Sequence, residues 1–276
     1  MRQGGGFRLR LPGGALVLRS RSIFLAFVLA LGPVVAPTAD AIIPGSISAE
    51  GTYQRVGPPD FSVGVGGSVD EIAAFVKPSG ALASSQLGAG PLPSGLSLSF
   101  ASILSGDGTD LVLRYDFSNL GPGALGGIGL VSFLDAEIDE PTFFNEYAET
   151  QGALAPGQGF EVDEPGFVFG DIYANALAGT LDGTNAVPLS DPEDVSLALS
   201  FSVGPLAPGQ VARFEFMISE DGDSIGAFRL VQRDIDPGST TVITFSGAAS
   251  VVPEPGTAAL VMAGVVVLAG ASRRRQ

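Results

Sequence analysis

The chain is 276 residues long, carries a formal net charge of −15, and contains no cysteine, no histidine and no tryptophan. The missing thiols and imidazoles exclude Ser-His-Asp and Cys-His catalysis, disulfides, and zinc sites of the His/Cys kind. The acidic excess repels polyanions, and between the two termini no cluster of Lys/Arg offers the phosphate contacts that nucleic acid requires.

From the N-terminus, Arg19 and Arg21 precede the apolar run Ile23–Leu31, and Gly32, Pro33 and Pro37 lead to Ala39-Asp40-Ala41. A basic region, a short apolar stretch and a small-x-small pattern are the parts of a secretory signal peptide, and the stretch is too short to span a bilayer. Residues 1–41 are expected to be removed after Ala41. Ala39 and Ala41 form the cleavage pattern, and the general secretory machinery is the expected export route.

Residues 42–251 read as one domain, in which 27 acidic residues face six basic ones (Arg55, Lys77, Arg114, Arg213, Arg229 and Arg233), a net charge of −21. Such a surface suits solubility and association with cations. In chain order the candidate strands are Phe61–Val65, Ile72–Val76, Leu96–Leu104, Leu111–Ser118, Ile128–Leu134, Phe167–Tyr173, Ser196–Val203, Arg213–Ile218, Ala227–Gln232 and Ile243–Ser246. The clearest has Leu111, Leu113, Tyr115 and Phe117 alternating with Val112, Arg114, Asp116 and Ser118, the signature of a sheet packed on one side. Asn145–Gly152 has room for about two helical turns. Gly204–Gln210, with Pro205, Pro208 and Gly209, predicts a hairpin or a tight connection between its flanking strands. Many short strands separated by Gly/Pro turns predict an all-β fold, an antiparallel β-sandwich of immunoglobulin-like or jelly-roll-like kind. The phenylalanines fall mainly in the apolar alternation and are read as core.

Two acidic groups are candidates for a cation. Asp135, Glu137 and Asp139 occupy alternate positions after an apolar run, so an extended backbone puts them on one face. Like charges so placed repel, and a Ca²⁺ with six to eight oxygen ligands would relieve them. The plainer reading is a solvated acidic rim. Asp221-Gly222-Asp223 imitates the start of a calcium loop but is followed by Ile225 where an oxygen ligand belongs, and it reads more simply as a turn. No cofactor is otherwise expected, and no residue stands out as catalytic.

The C-terminus reads Val251-Val252-Pro253-Glu254-Pro255-Gly256-Thr257, then apolar residues to Ala271, then Ser272, Arg273, Arg274, Arg275 and Gln276. The prolines fix φ and lack N–H groups, so no helix passes through them. Gly256–Ala271 would make a helix of about 24 Å, slightly short of a hydrocarbon core of about 30 Å. Arg273, Arg274 and Arg275 favour the cytoplasmic side and make a stop-transfer signal. Pro-Glu-Pro, an apolar segment and an arginine cluster in this order resemble the PEP-CTERM sorting signal of bacterial surface proteins, here over residues 252–276. The resemblance implies processing by an exosortase, with Pro253, Glu254 and Pro255 as its recognition element. The protein would sit transiently in the inner membrane through a C-terminal transmembrane sorting helix, then reach the cell surface or the exterior. It also implies a non-enzymatic surface or matrix role alongside exopolysaccharide and biofilm. A Ca²⁺-assisted carbohydrate-binding or adhesive module is the alternative.

N-terminal sequencing of the exported protein is expected to start at Ile42; a start more than a few residues away overturns the signal-peptide assignment.

Overall fold

The structure, a computed structural model, describes residues 47–48, 53–54, 68–138 and 144–253. Among them the elements are β1 (Tyr53–Gln54), β2 (Ser68–Pro78), β3 (Ser85–Gln86), β4 (Leu96–Leu104), β5 (Asp110–Asn119), β6 (Ile128–Glu137), β7 (Glu146–Gln151), β8 (Gln158–Asp163), α1 (Ile172–Ala178), β9 (Ser196–Val203), β10 (Gln210–Ser219), β11 (Arg229–Asp234) and β12 (Val242–Pro253). They form two antiparallel sheets. The first runs β1-β2-β6-β9-β8, with β3 also on β2; the second runs β4-β5-β10-β12-β11-β7. This is the all-β sandwich that the alternation predicts.

The second sheet behaves as its sequence suggests. Leu111, Leu113, Tyr115 and Phe117 of β5 are buried and their neighbours half-buried; Ala212, Phe214 and Phe216 of β10 repeat the pattern beside them. On the opposite face of that sheet, register places Arg213 opposite Asp116 and Arg114 opposite Glu215. Both pairs close at 2.7–2.8 Å, and Arg213 grips both oxygens of Asp116. Rings fill the space between the sheets. Phe216 meets Tyr115, Phe245 and, from the first sheet, Phe201, at centroid distances of 6.1, 6.1 and 5.7 Å.

The first sheet is covered on both faces. Ile72, Ala74, Leu130, Leu134, Leu197 and Leu199 point into the sandwich. Ala73, Phe75, Val131, Phe133 and Ala198 point the other way and pack under α1 through Ile172 and Ala176. Tyr173 of α1 sets its ring edge-on against Phe75 and Phe133 at 5.6 and 5.3 Å. Gly179 ends α1 with φ +68°, a left-handed conformation that side chains disfavour, and a Cβ there would lie 2.5 Å from Lys77 Cδ. Lys77 Nζ donates to the carbonyl of Ala178 at 2.8 Å, placing a cation at the helix C-terminus.

Several sequence expectations need correction. Gly204–Gln210 is a tight connection and not a hairpin, because β9 and β10 lie in different sheets. Asn145–Gly152 is mostly strand: β7 pairs with β11 from Glu146 to Gln151, and cross-strand bonding overrides its modest helical preference. Phe167–Tyr173 is not a strand; it bends past Gly166 and Gly170, both at positive φ, into the start of α1. Phe144, Phe167 and Phe169 are exposed and not core. The candidate strand Phe61–Val65 and the signal-peptide residues Ala39 and Ala41 lie outside the described residues.

Phe216 joins the two sheets, so its truncation removes packing that no neighbour can replace. Phe216→Ala is expected to cost about 3–5 kcal/mol, read as a lower urea midpoint at unchanged slope.

Candidate functional site

The outer face of the first sheet changes character along its strands. In β6 the residues on this face are Val131, Phe133, Asp135 and Glu137, since side chains alternate. The apolar pair lies under α1; the acidic pair follows. Register continues the change sideways. Phe133 is flanked by Ala73 of β2 and Ala198 of β9, and the next row is Glu71, Asp135 and Ser196. On β8, Glu161 lies beside Ala198 and Asp163 beside Ser196. Five carboxylates therefore crowd one end of a face whose other end is apolar.

Burial is the unexpected feature. Asp135 is 3% exposed and Glu137 8%, so they are not the solvated rim that composition suggests. Asp194, two residues before β9, completes the group: one oxygen from each of Asp135, Glu137 and Asp194 lies within 4.8 Å of the others. Ser196 Oγ donates to Asp135 Oδ1 at 2.6 Å. Glu137 Oε2 and Asp194 Oδ1 are buried without a hydrogen-bond partner. Nearby, the backbone N–H of Ile138 donates to Glu146 Oε1 at 2.6 Å, and Gln232 Nε2 donates to its other oxygen. Burial, reinforced by the neighbouring carboxylates, pushes Glu137 up to about 10, Asp135 to about 8 and Asp194 to about 7. Burial also raises Glu146 to about 8 and Glu71 to about 7; a hydrogen bond from Tyr173 partly offsets the rise at Glu71.

No positive charge offsets this group among the described residues. Each described cation is engaged elsewhere: Lys77 with Ala178 O, Arg114 with Glu215, Arg213 with Asp116, Arg229 with Gln151, and Arg233 with Glu149.

Asp221 and Asp223 come together with Asp110 instead. Asp221 Oδ1 accepts from Ser219 Oγ at 2.9 Å and from the N–H of Asp223 at 3.1 Å. This is the turn that the sequence suggests. A third group joins Glu161, Asp163 and Asp171. It ties α1 to β8, because Asn175 Nδ2 donates to Glu161 and the N–H of Asp171 donates to Asp163. Asp139 lies outside the described residues, so the outer-face group is seen with Asp194 as its third member. Sequence spacing missed Asp194 because only the pairing of β6 with β9 brings it near.

A cleft of about 350 Å³ borders the group, lined by Asp194, Glu164 and the exposed rings of Phe144, Phe167 and Phe169. Asp135 and Glu137 do not line it.

At the other end of the molecule, β12 runs to Pro253, which stands opposite Gln210 of β10. Glu254, Pro255 and the three arginines lie outside the described residues. Among the described residues no helix is long and apolar enough to cross a membrane. Residues 251–276 match the PEP-CTERM protein-sorting motif. The tail is a PEP-CTERM sorting motif. The match begins at Val251, inside β12, so the motif starts on the last strand of the sandwich. It supports an exported, surface-directed protein with an exosortase as its processing partner. No curated protein matches the chain in sequence.

The raised carboxyls give a pH dependence of definite sign. The unfolded chain loses these protons near the ordinary values of 3.8 and 4.5, whereas the folded protein keeps them to about 7–10. Their contribution to stability is therefore complete below about pH 4 and is lost as pH rises through the folded values. In divalent-free buffer the melting temperature is expected to fall between pH 5 and pH 9 by at least about 5 °C. A flat or rising profile by calorimetry contradicts it.

Proposed function

We propose that this chain is a non-enzymatic β-sandwich that an exosortase delivers to the cell surface or the extracellular matrix, where it accompanies exopolysaccharide as a biofilm component. The observation that carries this reading is the sorting motif joined to β12 with no intervening linker. The folded domain is the cargo, and the tail is its address. A net-acidic domain without clustered cations is consistent with a hydrated polymer matrix and not with a nucleic-acid partner. A non-enzymatic role is supported by the lack of histidine and cysteine. It is further supported by the lining of the cleft, which includes neither Asp135 nor Glu137.

A second reading is a Ca²⁺-assisted carbohydrate-binding or adhesive module. The cleft favours it, because Phe144, Phe167 and Phe169 offer exposed ring faces on which a sugar can stack.

Sorting is tested by replacing Pro253, Glu254 and Pro255 together with alanine in a host that carries an exosortase. Export should continue, but the variant should accumulate in the inner-membrane fraction with its tail attached. Deleting Arg273, Arg274 and Arg275 should instead weaken retention before processing. Immunoblots of membrane and released fractions decide between them. If the alanine variant is released like the wild type, the tail acts as a plain anchor.

A further inference from the structure

The outer-face cluster differs from the other two acidic groups in the state of its oxygens. Glu161, Asp163 and Asp171 are knitted to α1 and its neighbouring loops, with donors on Glu161 from Asn175 and Asp182 and on Asp163 from Glu164 and Asp171. Asp221 and Asp223 stand at an exposed turn, and Asp110, although its Oδ1 has no partner, is only half-buried at the start of β5. Among the described members of the three groups, Glu137 alone combines deep burial with an unfilled acceptor. Glu137, at 8% exposure, holds Oε2 with no donor, and Asp194 Oδ1 is likewise unpartnered. Burying such oxygens without a partner is costly, and burying several together is more so.

Two devices can relieve that cost: protons or a cation. The geometry favours the cation. The oxygens lie no more than 4.8 Å apart. Oxygens that close can be bridged by one divalent ion, and calcium accepts the irregular set of oxygens that magnesium, with its strict octahedral demand, does not. The donors are all hard oxygens, which suit Ca²⁺ over softer metals. Two of them project from the rigid strand β6. The Ser196 hydroxyl fixes one oxygen of Asp135 and leaves the other for a ligand. Asp194 is half-buried at the cleft wall, which gives an ion a route in and leaves coordination positions for water. The described lysine and arginines, the alternative counter-charges, are engaged elsewhere.

We propose that Asp135, Glu137 and Asp194 bind a Ca²⁺ ion on the outer face of the first sheet, at the inner wall of the phenylalanine-lined cleft. The ion replaces the missing donors of Glu137 and Asp194 and ties β6 to the segment that leads into β9. The inference deepens the calcium-assisted reading above and is independent of the sorting tail. An ion there would stiffen the cleft wall next to the exposed rings, so calcium would act on any ligand through the shape of the cleft.

The test is the melting temperature of the full chain, stripped with chelator and then titrated from 0.1 to 10 mM with CaCl₂ or MgCl₂ at pH 7.5. Wild type should gain at least about 5 °C with calcium through ligand linkage, and clearly less with magnesium. The double variant Glu137→Gln/Asp194→Asn keeps side-chain volume and removes two like charges, so it should fold, melt higher than the stripped wild type, and lose the calcium response. Asp221→Asn/Asp223→Asn should respond as wild type does. No calcium shift in wild type overturns the site and leaves protonation as the device. A shift that survives in Glu137→Gln/Asp194→Asn, or disappears in Asp221→Asn/Asp223→Asn, overturns this location. Glycan binding is not read in this experiment, so failure of the site and failure of the adhesive reading remain separable.

Discussion

Burial of the first sheet on both faces is the constraint from which the rest follows. A sandwich needs one apolar face per sheet. Here β2, β6 and β9 are apolar on both, because α1 lays Ile172, Tyr173 and Ala176 over Phe75, Phe133 and Ala198. That cover puts the outer face of the sheet in a low-dielectric setting. The carboxylates at its end, Asp135 and Glu137, are buried in the same face.

The same constraint explains which parts of the fold were legible in the sequence. β5 and β10 are one-sided, and their alternation from Leu111 to Phe117 and from Ala212 to Phe216 reads directly as strand. β6 reads as an apolar run with no period, which marks burial but not which residue faces which way. α1, at seven residues, is too short to show a helical repeat. Its segment therefore reads as an extension of the aromatic run before it. β7 carries Glu146, Glu149 and an alanine, a helical composition overruled by its ladder to β11.

The candidate site was half legible. Asp135 and Glu137 announce themselves by alternation on one strand, since a period of two needs no knowledge of the fold. Asp194 does not, because it lies about sixty positions further on and meets them only through the register that sets Asp135 opposite Ser196. Burial was illegible for the same reason: β6 is enclosed by β2 and β9, strands that only the fold brings beside it. The tail is the opposite case. Its meaning lies in the order of its residues alone, and no tertiary contact is needed to read it.

The path of β12 has a mechanical consequence. It is an interior strand of its sheet, paired with β10 along its length from Thr244 to Pro253. Any load on a molecule tethered by its C-terminus enters at Pro253 and runs along this strand. Hydrogen bonds between antiparallel strands lie across the strand direction, so a pull along β12 loads ten facing residue pairs in shear and does not open them one by one. A surface protein held this way meets dragging by flow or by a moving polymer with a ladder loaded in shear.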